Sequence, residues 1–343
     1  MKKTLIALAV AGVVAAPAAF AATSNVDVYG KLHMSISLFD DQLTGTSDVQ
    51  VSSTASRIGF KGSEDLGGGL SGIWQIESGI NLDEQNGNFA TRNSFVGLKG
   101  GFGTVLLGTH DTPLKMVGRA VDLFGDTMAD SRNVMGGGSD TRAKNEVLYM
   151  SPNFTGLSFA AAYSSDLDTP VAGGNAGDLD NRTIYNLSAT YKNGPLFAGL
   201  GFGDGDGHEV LGWGAHWRAA VGFDMGNLKF VGQYDRLKDD NTIAPAALAG
   251  DYDAWMLGAS YTMGAMVFKA NYMDGDIDGA ANDPKQWTVG MDYNLSKRTT
   301  AYALYANGEN VTLGGGAGGS DRIGSGVAGG DISAFSVGVV HSF

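Results

Sequence analysis

The sequence predicts an all-β protein in which sixteen antiparallel strands close into a transmembrane β-barrel. Three observations support this fold class. Apolar and polar residues alternate along many short stretches, as they do in strands with two different faces. Short turns and long polar loops alternate between these stretches. After residue 22, no apolar run approaches the ~18 to 20 residues that a membrane helix needs, so only strands could cross a membrane.

Residues 1–21 are predicted to form a secretory signal peptide. Lys2 and Lys3 precede an apolar run, and Ala19 and Ala21 form the small-residue site at which such a peptide is cleaved. We expect the barrel to occupy residues 22–343. The protein is therefore predicted to be exported.

The first strand is predicted from "VDVYGKLHMSISL" at 26–38, where apolar and polar residues alternate over the whole stretch. Similar alternation recurs later in the chain, and aromatic residues repeatedly end the apolar face. An apolar face that ends in Trp or Tyr suits lipid with an interfacial girdle. The residues on these later apolar faces include Tyr185, Leu187, Tyr191, Trp255, Leu257, Tyr261, Phe268, Tyr272, Trp287, Val289 and Tyr293.

The connections give the strand count. Seven short turns are predicted at 63–69, 100–102, 152–155, 193–195, 224–227, 263–265 and 295–297. Eight long loops are predicted near 39–49, 82–90, 111–142, 165–181, 203–211, 239–251, 275–285 and 308–331. This alternation gives sixteen strands with both chain ends on the short-turn side. Since every backbone polar group in hydrocarbon needs a partner, the first strand must pair with the last, and Phe343 ends that last strand.

Composition excludes several other classes. The net charge of −13 disfavours binding to nucleic acid or to anionic lipid headgroups. No cysteine is present, so neither a disulfide framework nor thiolate chemistry is available.

Six stretches at compatible spacing resemble a known family. They are "VDVYGK" at 26–31, "SRIGFKGSEDLGGGL" at 56–70, "SFVGLKGGFGTVLLG" at 94–108, "YMSPNF" at 149–154, "NLSKRT" at 294–299 and "VGVVHSF" at 337–343. The chain resembles the Gram-negative general porins over nearly its full length. The resemblance implies a homotrimer in the lipid of the outer membrane, with a third long loop folded inward. It also implies that the barrel-assembly machinery reads the terminal Phe343.

The resemblance further implies a pore constriction, in which acidic residues of the third loop face basic residues of the wall. Lys31, Arg57 and Arg92 match the basic wall positions of the family, and alternation independently places Lys31 and Arg57 on the polar face. For Arg92 the facing rests on the resemblance alone. The loop at 111–142 contributes Asp122, Asp126, Asp130, Arg132 and Arg142. Thr109 and His110 follow "VLLG" where relatives commonly place a basic residue, which predicts a weaker basic cluster.

Two further features, the acidic motif at 274–279 and the five histidines, have simpler interpretations than a functional site. "DGDIDG" at 274–279 resembles the start of a calcium loop, but Lys285 stands where an EF-hand needs a glutamate. Solvated loop charge is the preferred interpretation, and a weak calcium site stays an alternative. None of the five histidines lies in a hydrolase or zinc-protease motif, so neither catalysis nor a cofactor is predicted.

The predicted function is passive, weakly charge-selective diffusion of small hydrophilic solutes and ions through a water-filled pore. Two alternatives stay open. One is a solute-specific channel, and the other is a non-conducting adhesive or structural barrel. The sequence leaves the preference for anions or cations open, because the total charge includes loops that salt screens from the constriction.

Overall fold

The computed structural model describes residues 25–42, 45–83, 89–135, 140–165, 183–206, 214–238, 251–279, 283–316, 320–325 and 330–343. The predicted signal peptide, residues 1–21, lies outside the described residues. Among the described residues, no helix is long and apolar enough to cross a membrane.

Almost all of the described chain forms strands. They are β1 (Asn25–Asp41), β2 (Thr46–Ser53), β3 (Arg57–Gly67), β4 (Leu70–Gly79), β5 (Ser94–Gly100), β6 (Gly103–Asp111), β7 (Arg142–Met150), β8 (Leu157–Ser165), β9 (Thr183–Asn193), β10 (Leu196–Asp206), β11 (His216–Met225), β12 (Leu228–Leu237), β13 (Tyr252–Met263), β14 (Met266–Ile277), β15 (Lys285–Asn294), β16 (Thr299–Glu309), β17 (Val311–Gly316), β18 (Ser320–Ser325) and β19 (Ile332–Ser342). One helix, α1 (Pro113–Arg119), and one 3-10 turn (Ser131–Asn133) lie between β6 and β7.

The strands form a closed antiparallel barrel, which confirms the predicted fold class. Seventeen strands share one sheet, and β1 pairs with β19 to close it. Both β2 and β3 pair with β1, β2 along residues 34–41 and β3 along residues 25–31, so together they act as one barrel strand interrupted at residues 54–56. The barrel therefore has sixteen strands. The remaining two, β17 and β18, form a separate hairpin in the last long loop.

The two faces of the sheet differ as the alternation predicts. On β1, Ile36 and Leu38 are exposed, whereas His33, Ser35 and Ser37 on the other face are buried. Aromatic residues near the long-loop ends of neighbouring strands contact each other on the exposed face, with ring centroids 4.4 to 5.4 Å apart. The pairs are Tyr163 with Tyr185, Phe202 with Trp217, Trp255 with Tyr272 and Trp287 with Tyr305. This pattern is that of an outer surface in contact with lipid and ringed by an aromatic girdle.

The connection between β6 and β7 comprises residues 112–141, and its described residues 112–135 contain α1 and pack against the sheet face opposite the exposed apolar residues. Thr112 caps α1 by accepting a hydrogen bond from the Lys115 amide, and Pro113 begins the helix, a position that suits a residue without an N–H. The apolar residues beyond the helix form two buried clusters with the wall. Val117, Val121, Val134 and Met135 pack with β9, β11, β12 and β13, and Phe124, Met128 and Ala129 pack with β1, β16 and β19.

Contacts of this connection reach opposite sides of the barrel. Helix α1 contacts β9, β10 and β11, while Asp126 is bonded to Lys31 on β1. Further along, the Gln286 side chain on β15 donates to the Ala129 carbonyl at 3.2 Å and accepts from Asn133 at 3.0 Å. A segment that contacts strands on several sides of a closed barrel has to cross its interior. These contacts support the expectation that the third long loop folds inward.

Candidate functional site

The tip of the connection meets two basic side chains of the wall. Lys31 and Arg57 are directly opposite each other on β1 and β3. Lys31 Nζ donates to Asp126 Oδ2 at 2.7 Å, and Arg57 Nη1 lies 3.7 Å from the same oxygen. Asp126 adopts a left-handed backbone conformation with φ of 63°, which Asp tolerates better than most residues. The tip turn thus presents a carboxylate to the two wall cations.

Arg119, the last residue of α1, connects the acidic residues of the segment. Its guanidinium lies 3.4 Å from Asp122, 2.7 Å from Asp126 and 2.9 Å from Asp130. Arg132 donates from Nε to Asp130 at 2.7 Å and lies 3.9 Å from Asp126. Burial alone would raise the pKa of Asp126, but the charges of Lys31 and Arg119 outweigh it and hold that pKa well below its ordinary range. Asp126 therefore stays ionised.

Asp122 behaves differently because it is almost fully enclosed. Burial first, and then repulsion by the Asp130 carboxylate, raise the pKa of Asp122 to about 6 even though Arg119 lowers it. The carboxylate accepts hydrogen bonds from the Phe124 amide at 3.0 Å and from the Ser131 hydroxyl at 3.0 Å. Asp122 is thus a group whose charge changes near neutral pH.

Arg92 joins the site through Glu77 on β4. Arg92 Nε donates to Glu77 Oε1 at 2.6 Å, and the Tyr29 hydroxyl donates to Glu77 Oε2 at 2.9 Å. Arg57 Nε lies 3.9 Å from Glu77 Oε2, so Glu77 links Arg92 to Arg57. Arg92 and Arg57 therefore both contact the Glu77 carboxylate.

Arg142 lies apart from this group. Its Nη2 atom is 2.9 Å from Asp111, and its Nε donates to the Asn93 side chain at 2.5 Å. Lys115 also reaches Asp111, at 3.0 Å. Seven of the eight predicted site residues therefore form one connected network, and Arg142 belongs to a second group around Asp111. The seven are Lys31, Arg57, Arg92, Asp122, Asp126, Asp130 and Arg132.

In this network the basic side chains are more exposed than the acidic side chains that they contact. The side chains of Arg57 and Arg119 are 25% and 27% exposed, and those of Arg92 and Arg132 are both 21% exposed. Their carboxylate partners are more enclosed, from 0% for Asp130 and 1% for Asp122 to 9% for Glu77 and 13% for Asp126. Within this network, the side chains that water and solutes can reach are therefore mainly the basic ones.

Sequence reasoning misses four charged members of these groups, Glu77, Asp111, Lys115 and Arg119. Glu77 lies in "WQIESG", where alternation with Trp74 and Ile76 places it on the polar face, so the pattern contains a usable signal. Arg119, Lys115 and Asp111 have no such signal, because α1 and the end of β6 follow no period-two pattern. Among the described residues, no group of three or more acidic or histidine side chains is arranged to hold a metal ion.

Comparison with known proteins gives the family. A family model described as Gram-negative porin matches residues 6–313. Outer membrane porin protein 32 of Delftia acidovorans is 32% identical over 342 residues, covering 92% of this chain and 92% of that protein. Major outer membrane protein P.IB of Neisseria meningitidis serogroup B is 33% identical over 328 residues, covering 88% of this chain and 91% of that protein.

Solved structures agree with this assignment. An anion-selective porin from Comamonas acidovorans has a TM-score of 0.73 at 26% identity, covering 93% of this chain and 100% of that chain. OmpT of Vibrio cholerae in its trimer form has a TM-score of 0.70 at 19% identity, covering 93% of this chain and 99% of that chain, which shows the shared fold alone. With the family model matching most of its length, the chain belongs to the Gram-negative porin family.

Proposed function

We propose that each barrel lets small hydrophilic solutes and ions diffuse passively across the outer membrane, with a preference for anions. The observation that carries the anion preference is that the side chains of four arginines, Arg57, Arg92, Arg119 and Arg132, are more exposed than the carboxylates that they contact. A ring of charge at the narrowest part of a pore raises the local concentration of counter-ions. Diffusion of this kind needs no cofactor and no catalytic step.

The overall charge does not oppose this proposal. The net charge of −13 is spread over the whole chain, whereas exposed charges more than ~8 to 10 Å from an ion are largely screened at physiological salt. Ions at the constriction therefore respond mainly to Arg57, Arg92, Arg119 and Arg132. The anion-selective porin from Comamonas acidovorans, to which this fold is similar, gives independent support.

The test is conductance of the purified protein in a planar bilayer under a salt gradient. We expect stable stepwise currents and a reversal potential of the sign that anion preference gives. A non-conducting adhesive barrel would give no steps. A solute-specific channel would show currents that one solute blocks at low concentration while chemically similar solutes do not. A reversal potential of cationic sign would contradict the anion preference.

Arg57→Glu is expected to shift the reversal potential toward cations. The substitution replaces an exposed wall cation with a carboxylate near Glu77 and Asp126, and the shift is expected to be larger at low salt because screening is weaker there. Arg236→Glu is the control, since Arg236 is a half-exposed arginine in ion pairs with Asp251 and Asp253 at the loop end of β12. An equal shift in both variants would place the effect outside the constriction.

Anion preference is expected to increase as the pH falls from about 7.5 to about 5, because Asp122 becomes protonated near pH 6 while Asp126 stays charged. The pKa of Asp122 is raised in the folded protein, so protonation favours the folded state and this group causes no acid destabilisation in that range. Asp122→Asn is expected to remove most of the pH dependence of the reversal potential. An unchanged pH dependence in this variant would assign the effect to another group.

A trimer built through strands β1 to β7 is proposed from the outer surface. The four aromatic pairs of the girdle lie at the long-loop ends of β8 to β11 and of β13 to β16, and Tyr234 on β12 and Phe335 on β19 are exposed near the same ends of their strands. On β1 to β7 the described exposed residues at the same level are aliphatic: Leu38, Val49, Val51, Ile76, Leu107 and Val147. Aromatic residues favour the boundary between lipid and water, so their absence from this described part suits a surface covered by protein. OmpT of Vibrio cholerae, which shares this fold, has a trimer form.

Export and assembly complete the proposal. The apolar segment at 1–21 would direct the chain across the inner membrane and would be removed by cleavage after Ala21. Recognition of Phe343 by the barrel-assembly machinery is likewise proposed.

A further inference from the structure

The connection between β6 and β7, residues 112–141, is called the constriction segment below. A buried ion pair of the barrel wall contacts this segment on the side of the barrel opposite Lys31. Arg218 on β11 and Asp235 on β12 are directly paired across the sheet. Arg218 donates from Nε and Nη2 to the two oxygens of Asp235 at 2.8 and 2.7 Å, which is a bidentate contact. Arg218 is 2% exposed and Asp235 is 0% exposed. The guanidinium is thus fixed to the wall and has no access to solutes in the pore.

The remaining nitrogen of Arg218 points to the segment. Nη1 donates to the Asp140 carboxylate at 2.5 Å and to the Leu114 carbonyl at 3.3 Å. Leu114 is near the start of the connection between β6 and β7, and Asp140 is near its end. One atom of the wall therefore holds both ends of the segment.

Small residues permit this contact. A Cβ atom on Gly118 of α1 would lie 2.5 Å from Arg218 Nη1, so only glycine allows the helix to approach so closely. On β10, a Cβ atom on Gly199 would lie 2.9 Å from Val117 Cγ1, and one on Gly201 would lie 3.0 Å from Leu114 Cδ1. The helix therefore rests on a glycine-lined surface directly beside the ion pair.

We propose that Arg218 is a positioning residue that, held by Asp235, fixes the constriction segment to the wall through Asp140 and Leu114. Arg119 at the end of α1 contacts Asp122, Asp126 and Asp130, so the position of α1 determines the position of this charge network. Without the hydrogen bonds from Arg218 to Asp140 and Leu114, Arg119 and Arg132 would no longer stay at a fixed distance from Lys31 and Arg57. The inference rests on the proposed function, because it concerns the same constriction.

Arg218→Met tests the proposal in single-channel recordings of the purified trimer. We expect open-channel current noise to increase several-fold and the reversal potential to move toward zero, although Arg218 itself does not reach the pore. Arg236→Met is the matched control, because it removes a half-exposed arginine from ion pairs on the same sheet. Noise and reversal potential equal to those of the wild type in the folded trimer would overturn the proposal.

Asp140→Asn covers the case in which Arg218→Met does not fold. It leaves the Arg218–Asp235 pair intact and weakens only the tie to the segment, so a smaller change in the same direction is expected. An Asp140→Asn trimer with wild-type noise and wild-type reversal potential would count against the tie.

A disulfide gives a rescue experiment. The chain has no cysteine, so Val117→Cys and Gly199→Cys can pair only with each other within one barrel. The 2.9 Å between a Cβ at 199 and the γ atom at 117 is close to the about 3 Å that separates a Cβ from the partner sulfur in a disulfide. In the Arg218→Met background, oxidation is expected to restore low noise and selectivity, and reduction to abolish them. Failure of oxidation to restore them would overturn the proposal.

The proposed function and this inference fail in different ways. A wild-type channel without anion preference would contradict the proposed selectivity, while noise and disulfide rescue would still report whether Arg218 holds the segment. Conversely, an anion-selective wild type with an unaffected Arg218→Met variant would contradict only the inference.

Discussion

Deleting residues 120–130 is expected to raise single-channel conductance by roughly twofold or more and to increase the size of solutes that pass. The deleted residues include Phe124 and Asp126, which carry the segment from the α1 side of the barrel to Lys31. The deletion joins Arg119 directly to Ser131. These two residues lie close together in the intact protein, because both donate hydrogen bonds to the Asp122 carboxylate, Arg119 at 3.4 Å and the Ser131 amide at 3.3 Å. Conductance and uptake of neutral sugars of increasing size measure the effect.

Asp126→Asn is the matched control for this deletion. Asparagine tolerates the left-handed backbone of residue 126 at least as well as aspartate does, so the tip keeps its shape and loses only its charge. We expect its reversal potential to move further toward anions, while its size limit stays that of the wild type. If the deletion forms folded trimers whose conductance and size limit are unchanged, the segment does not narrow the pore.

Much of the barrel could be predicted from the sequence because strand periodicity is a local property. The alternation at 26–38 predicts β1, which the structure extends to Asn25–Asp41. All seven short turns join neighbouring strands as predicted. The first long loop is shorter than expected, since β1 and β2 continue to Asp41 and from Thr46 within the predicted 39–49. The ends of β1 and β2 pair through polar and acidic residues, such as Asp40 with Ser47 and Asp41 with Thr46. Because these residues lie beyond the apolar part of the outer face, hydropathy does not distinguish this strand pair from a loop.

The inner network could be predicted only in part. Lys31 and Arg57 face inward by alternation, but their acidic partner Asp126 is 95 positions from Lys31 in the chain. Such a contact depends on how the segment crosses the closed barrel, and no local pattern encodes it. Arg218 illustrates the same limit. Its partners Asp235 and Asp140 are 17 and 78 positions away in the chain. Asp235 lies on the neighbouring strand β12, whereas Asp140 lies in the distant connection between β6 and β7.

Phe343 makes specific contacts with the first strand of the barrel. Phe343 exchanges two backbone hydrogen bonds with Gly30, both at 3.1 Å, and is therefore the last pair of the seam between β1 and β19. The Phe343 ring covers Gly30 so closely that a Cβ there would lie 2.4 Å from Cζ. An aromatic ring over a cross-strand glycine is a known way to fix strand register. Phe343 thus marks the register at which the barrel closes.

Removing Phe343 alone is expected to slow the appearance of trimer in the outer membrane strongly while leaving the conductance of assembled channels close to that of the wild type. The pore effect is small because the 42% exposed ring lies on the outer face with Phe335, Val337 and Val339. Pulse-labelling followed by gel electrophoresis of unheated samples measures assembly, and bilayer recording measures the pore. Phe335→Ala is the matched control, since it removes an exposed aromatic ring from the same strand face, near the long-loop end of β19.

The reason to expect an assembly effect larger than a stability effect is energetic. The deletion removes two hydrogen bonds, worth about 1 kcal/mol each, and the burial of one ring, worth a few kcal/mol by area. The rest of the seam, eleven paired positions between β1 and β19, stays in place. An assembled trimer should therefore lose only a few degrees of thermal stability. If Phe343 served only as an interfacial anchor, the deletion and Phe335→Ala would assemble at the wild-type rate, and the proposal that the assembly machinery reads the terminal aromatic would have to be abandoned.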